Sequence, residues 1–154
     1  MKLFFVRHGN ADWPDWTGSD DERPLTRKGR KQTGRVARLL GKLCVEPSLV
    51  LSSPLPRAFQ TAEIIANRLA VDLKEEPTIG KDFDLPALRV LLTRMEGQDL
   101  MVVGHEPDFS GLIRRLTGGS VKMAKAGVAR VDLESPESDG TLVWLLPPKF
   151  ANSG

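Results

Sequence analysis

The chain contains two histidines, and each follows an apolar run closely. His8 comes after Leu3-Phe4-Phe5-Val6-Arg7, and His105 comes after Leu100-Met101-Val102-Val103-Gly104. Arg57 lies a few residues past a third apolar run, Leu49–Leu51, and Arg7 adjoins His8. Imidazole can act as a nucleophile or carry a proton. Guanidinium is a permanently charged planar donor matched to phosphate oxygens. Gathered on one rim, two imidazoles and two arginines make an anion pocket. Gly9 and Gly104, beside the histidines, let backbone approach a ligand closely. Taken singly, each residue has a plainer reading. A histidine beside a strand is more often a satisfied structural residue, and an arginine near a helix start is usually a solvated charge. Their recurrence at equivalent places is what points to a site.

The elements that would position these residues can be read from the apolar pattern. Leu3–Val6, Leu49–Leu51 and Leu100–Val103 read as buried strands, with a weaker strand at Val71–Leu73. Helices are expected over Arg27–Leu43 behind Thr26 as N-cap, over Arg57–Leu69, over Leu85–Met95 behind Asp84, and from Pro107 to Leu116. In the first helix Val36, Leu39, Leu40 and Leu43 are spaced for one buried face. Val128–Leu133 and Thr141–Leu146 read as a hairpin with a long turn, and Phe150–Gly154 as a frayed tail. Strand–helix alternation ending in a hairpin implies an α/β fold. The expected form is a three-layer α/β/α sandwich with a mostly parallel central sheet and an antiparallel C-terminal edge. A parallel sheet places the ends of the three strands on one rim, where open α/β sheets bind ligands. Helix N-termini after Ser53 and at Pro107 would add backbone donors there.

Arg7-His8-Gly9 after an N-terminal strand resembles the signature of the histidine phosphatase superfamily, whose fold is phosphoglycerate mutase-like. The segment from Ser52 to Ala62, SSPLPRAFQTA, resembles the second motif of that family, and Val103-Gly104-His105-Glu106-Pro107 resembles the third. Pro24-Leu25-Thr26-Arg27-Lys28-Gly29 matches a further element, and the likeness runs from residue 1 to about the final hairpin. It implies that His8 is the nucleophile and forms a phosphohistidine that water then hydrolyses. It further implies that Arg7, Arg57 and His105 hold the phosphoryl oxygens. Glu106 stands where acid phosphatase relatives carry an acidic proton donor. Mutase relatives instead use a glutamate after the third strand, where this chain offers Glu75, Glu76, Asp82 and Asp84 without a clean match. Asn10, next to the Arg-His-Gly turn, either touches phosphate or only shapes the turn.

Within the superfamily the chain is similar to the small SixA-type phosphohistidine phosphatases. Larger relatives carry long helical insertions over the pocket. Here the span from Ala70 to Gly104 holds only one strand, one helix and one strand. A single domain over residues 1–154 without a lid is therefore expected. An uncovered pocket suits a phosphate borne on a signalling or phosphotransfer protein, and would also admit small phosphomonoesters. A non-catalytic phosphate-binding module is a third reading, but all four pocket residues are present. No metal or cofactor is expected, because the arginines supply the charge that a cation supplies elsewhere and there is no Cys-clustered site.

Composition narrows the class further. The 154 residues are 40% hydrophobic and 27% charged, ordinary values for a folded domain. The net charge is +2, so no global attraction to nucleic acid is expected. No apolar run reaches the ~18 residues of a membrane span. The four consecutive apolar residues before Arg7 are too few for a signal peptide. With a single cysteine, Cys44, a reducing cytoplasmic location is expected. Cys44 itself is expected in the core or at its boundary. Trp13 and Trp16 either line the pocket rim or pack the first loop. Arg27, Lys28, Arg30, Lys31, Arg35 and Arg38 form a dense basic run. It reads either as a solvated helix face or as a docking surface for an acidic phosphoprotein.

Overall fold

The computed structural model describes residues 1–80, 82–96 and 98–153. Strands and helices alternate: β1 (Lys2–Arg7), α1 (Arg27–Lys42), β2 (Leu49–Ser52), α2 (Pro56–Leu69), β3 (Leu73–Glu75), α3 (Leu85–Arg94), β4 (Leu100–Gly104) and α4 (Asp108–Thr117). A hairpin of β5 (Val128–Leu133) and β6 (Gly140–Leu146) closes the series. The sheet order is β3-β2-β4-β1-β5-β6. The first four strands in that order run parallel, and β5 and β6 form the antiparallel edge.

Side-chain alternation sorts the core into two layers. Leu3, Phe5, Leu51, Leu100 and Val102 face α3 and α4, where they meet Leu88, Leu92, Phe109 and Ile113. Phe4, Val6, Val50, Met101 and Val103 face the other way, toward Val36, Leu40, Ala58, Ala62 and Ile65 of α1 and α2. The result is the expected three-layer α/β/α sandwich. Strands buried on both faces read as continuous apolar runs, which is why β1, β2 and β4 were legible.

The helix that follows β1 packs on one face of the sheet, and the helix that follows its neighbour β4 packs on the other. Where consecutive crossovers diverge like this, the carboxyl ends of the two strands open onto a crevice. His8 and His105 are the residues that follow those two ends.

Several expectations need correction. The buried face of α1 is Gly29, Thr33, Val36, Ala37 and Leu40, rotated from the expected face. Leu39 is half-buried, and Leu43 is exposed because the helix ends before it. β3 begins at Leu73, since the Val71 amide still bonds back to Ala66 at the end of α2. Cys44 is exposed, at φ 55° just past the end of α1. The C-terminal segment is not frayed: Pro148–Ser153 forms a 3₁₀ turn, and Ala151 packs against the α1–α2 layer. Gly154 lies outside the described residues.

Candidate active site

A cavity of about 500 Å³ opens where β1, β2 and β4 end. Arg7, His8, Arg57 and His105 all line it, so the fold brings the four sequence-nominated residues together. The register explains this convergence. Arg7 pairs with Gly104, and Ser52 with Val103. The ladder continues one step further on each side, through His8 N to Gly104 O at 3.0 Å and Ser53 N to Val103 O at 3.0 Å. The two imidazole rings stand 5.4 Å apart between centroids, at 55°.

His8 donates from Nδ1 to the Gly9 carbonyl at 2.7 Å. A carbonyl can only accept, so the proton sits on Nδ1 and Nε2 keeps its lone pair. Burial is the largest influence on this ring and lowers its pKa from 6.5 to about 4; the Gly9 bond opposes that, and His105, Arg57 and Arg7 add to it. The ring is therefore neutral at pH 7. His105 is 7% exposed, with Nε2 2.7 Å from Ser53 Oγ.

Among the described residues, each of the two guanidinium groups makes one hydrogen bond. Arg7 donates from Nη1 to Met123 O at 2.9 Å, and Arg57 from Nη1 to Asp20 O at 3.0 Å. The buried Nε of each has no hydrogen-bond partner among the described residues. Arg57 is only 6% exposed. Burial first, then the charge of Arg23, lowers its pKa, against the pull of Asp20 and Asp21. An anion in the cavity would relieve both.

The turn that carries His8 is held from two helices. Gly9 N donates to Thr61 Oγ1 at 3.0 Å, and Thr61 in turn donates to Arg57 O at 2.8 Å. A Cβ on Gly9 would lie 2.7 Å from Thr33 Oγ1, and one on Gly104 would lie 2.7 Å from Phe109 Cζ. Both glycines thus permit close packing of the sheet ends against helices, and neither is among the cavity-lining residues. Asn10 does not line the cavity either; its Oδ1 accepts from Thr26 Oγ1 at 2.9 Å and from Asp12 N at 3.1 Å, tying the turn to α1.

Glu106 lines the cavity, and its Oε1 accepts from Ser110 N at 2.7 Å. Asp82 and Asp108 stand on the same wall, with Asp108 accepting from Phe83 N at 3.2 Å. Burial, reinforced by Asp82 and Glu106, raises the pKa of Asp108 against its two backbone hydrogen bonds. Asp84 instead caps α3 through Ala87 N at 3.0 Å, and Glu76 pairs with Arg94 away from the cavity. Glu75 lies on β3.

Sequence reasoning missed three residues at the mouth. Arg23, Asp12 and Lys125 all line the cavity, and the Asp12 carboxylate lies between the other two, 3.7 Å from Arg23 and hydrogen-bonded to Lys125. It also assigned no role to Ser53, although that residue stands inside the second motif. Trp13 and Trp16 brace the first loop, donating to Pro24 O and Ser19 O at 2.8 and 2.9 Å, and do not line the cavity.

This fold, with two histidines and two arginines at the crevice, is that of the phosphoglycerate mutase-like phosphatases. The family model of the histidine phosphatase superfamily (branch 1) matches residues 3–80. The phosphohistidine phosphatase SixA of Escherichia coli is 30% identical over 96% of this chain and 94% of its own length. An uncharacterized protein of Picosynechococcus sp. is 35% identical over 97% of this chain and 98% of its own. A solved structure of the protein histidine phosphatase SixA complexed with tungstate superposes with a TM-score of 0.88 at 29% identity, over 97% of this chain and 99% of that one. The chain belongs to the histidine phosphatase superfamily, near its SixA-type members. Among the described residues no helix is long and apolar enough to cross a membrane.

Proposed function

We propose that the protein is a phosphatase that works through a phosphohistidine on His8, and that its substrate is phosphohistidine on a signalling or phosphotransfer protein. The observation that carries this reading is the His8 ring: neutral, with its proton committed to Gly9 and its Nε2 lone pair free, in a cavity lined by Arg7, Arg57 and His105. Nε2 attacks phosphorus in line; the N–P bond forms as the bond to the leaving group breaks. The equatorial oxygens, where transition-state charge spreads, fall to Arg7, Arg57 and His105. A carboxyl on the Glu106 wall protonates the leaving group, with Glu106 itself the first candidate. Water then attacks phosphorus, releasing inorganic phosphate and regenerating His8.

The arginines supply the positive charge, so the reaction proceeds without a metal. Among the described residues, the span between α2 and β4 holds β3, α3 and their loops, which leaves the cavity open enough for a phosphate on another protein. The E. coli protein similar to this chain is named a phosphohistidine phosphatase. With a single cysteine, the protein suits the reducing cytoplasm. A second reading keeps the chemistry but takes a small phosphomonoester, which a cavity of about 500 Å³ would admit.

The test is phosphate release from a phosphohistidine-bearing transfer domain, beside a panel of small phosphomonoesters, with EDTA present and a His8→Ala control. Preferential release from the protein, lost in the control, is the expected result. Release from one ester alone would move the substrate to metabolism, and silence on every substrate would favour a binding module.

A further inference from the structure

The exposed face of α1 is the strongest charge feature of the molecule, and no step of the chemistry above uses it. Its sixteen residues hold seven cations, Arg27, Lys28, Arg30, Lys31, Arg35, Arg38 and Lys42, and no carboxylate. That is a formal +7 on a chain of net +2, which leaves −5 for everything else. The near-neutral total therefore conceals a molecule with one strongly positive face.

All seven side chains are exposed, and none has a carboxylate of the described residues within ion-pair distance. Arg27, Lys31, Arg35, Arg38 and Lys42 follow one another at spacings of three and four, a continuous stripe about 22 Å long. This arrangement works against the helix. Like charges at those spacings destabilise it. Arg27 and Lys28 also stand at its positive dipole end, where the first turn holds no acidic residue. A face that only needed solvation would tolerate mixed charge.

The stripe starts beside the turn that carries His8. The Thr26 amide and hydroxyl bond to Asn10 O at 2.9 and 3.2 Å, two residues from His8. A Cβ on Gly29 would lie 2.2 Å from that same oxygen, so the first turn of α1 lies directly against the turn that carries His8. As the crossover between parallel strands, α1 runs back antiparallel to them, and its cations lead away from the sheet edge that bears the cavity, down one side of the molecule.

We infer that the exposed face of α1 docks the acidic surface of the protein that carries the phosphoryl group, so that the stripe delivers the phosphohistidine to the cavity at its end. This rests on the functional reading above and names the kind of partner. A small ester gains nothing from a 22 Å stripe, whereas a folded acidic domain gains both encounter rate and orientation.

The test uses Lys31→Gln, Arg35→Gln and Arg38→Gln together, three positions away from the cavity. The substrates are an acidic histidine-phosphotransfer domain phosphorylated with phosphoramidate, and p-nitrophenyl phosphate. At about 0.05 M salt, kcat/KM for the protein substrate is expected to fall about tenfold or more, with the small ester unchanged. The gap should close toward about 0.5 M salt, where the charges are screened. Equal losses on both substrates, or none on either, would overturn the inference. Binding of the unphosphorylated domain, followed by fluorescence anisotropy, tests docking separately from chemistry and should weaken by a similar factor. If wild type binds the domain through these cations yet releases no phosphate, the substrate reading fails and docking stands. If a random DNA duplex binds as tightly through the same three residues, the face is a nucleic-acid surface and the inference is wrong.

Discussion

The Nδ1–H of His8 is held by the carbonyl of Gly9, the next residue in the chain, at 2.7 Å. That bond fixes the tautomer before any substrate arrives. Nitrogen-15 NMR of the imidazole should show a protonated Nδ1 and a bare Nε2 across neutral pH. A proton on Nε2 would remove the proposed nucleophile.

The lowered pKa of His8, about 4, carries two consequences. The free ring stays neutral well below 6.5, so the acid limb of kcat/KM assigned to it should lie near 4 to 5, once substrate ionisation is accounted for. Stability is linked to the same ring. The unfolded chain takes up the proton near 6.5 and the folded chain only near 4, so stability falls as pH drops through that window, by up to about 3 kcal/mol. In the His8→Ala variant this part of the pH dependence should be absent from denaturant titrations at pH 4.5 and 7.

Ser53 Oγ lies 2.7 Å from His105 Nε2 and also accepts from Leu55 N at 3.2 Å, so it fixes the second ring from the start of α2. Ser53→Ala should lower kcat about five- to tenfold, the scale of one lost hydrogen bond near 1 kcal/mol, with KM little changed. A loss confined to thermal stability would make Ser53 purely structural.

Asp12 holds Arg23 and Lys125 at the mouth of the cavity. Asp12→Asn should free Lys125 and remove a negative charge beside Arg23, which Ala11 O and Asp20 still hold at 2.6 and 3.0 Å, and so tighten competitive inhibition by inorganic phosphate about two- to fivefold, the range of one exposed ion pair. Lys125→Met should weaken it. Unchanged inhibition constants in both variants would place the pair outside the anion's field.

Gly104, the last residue of β4, is a packing position within the third motif. A Cβ there would press on Phe109 Cζ at 2.7 Å and Ile79 Cγ2 at 2.9 Å. Gly104→Ala should cost about 1–3 kcal/mol in urea titration, with activity falling in step.

What the sequence made legible follows from how local each signal is. Arg7, His8 and His105 directly follow continuous apolar runs, and Arg57 opens a helix just past a third. A parallel sheet brings such positions to one edge without detailed knowledge of packing. The mouth was hidden because Asp12 and Lys125 are 113 residues apart and meet only across the pocket. Antiparallel pairing of β5 with β1 brings the 123–127 segment behind Arg7, and no periodicity announces that contact. The tail was misread for a similar reason: Ala151 is held by the α1–α2 layer and not by its own sequence neighbours. Three motifs in order, each at a strand end, carried the family resemblance; Asn10, Gly9 and Gly104 beside them are not among the lining residues and pack the strand ends against helices.

A covalent phosphoryl group on His8 can be caught by rapid acid-free quench of a turnover mixture followed by peptide mass spectrometry. One added phosphoryl group is expected on the peptide containing His8, labile to acid and stable to base, and missing in His8→Ala along with all phosphate release. Steady turnover by His8→Ala, or a phosphoryl group found on another residue, would contradict it.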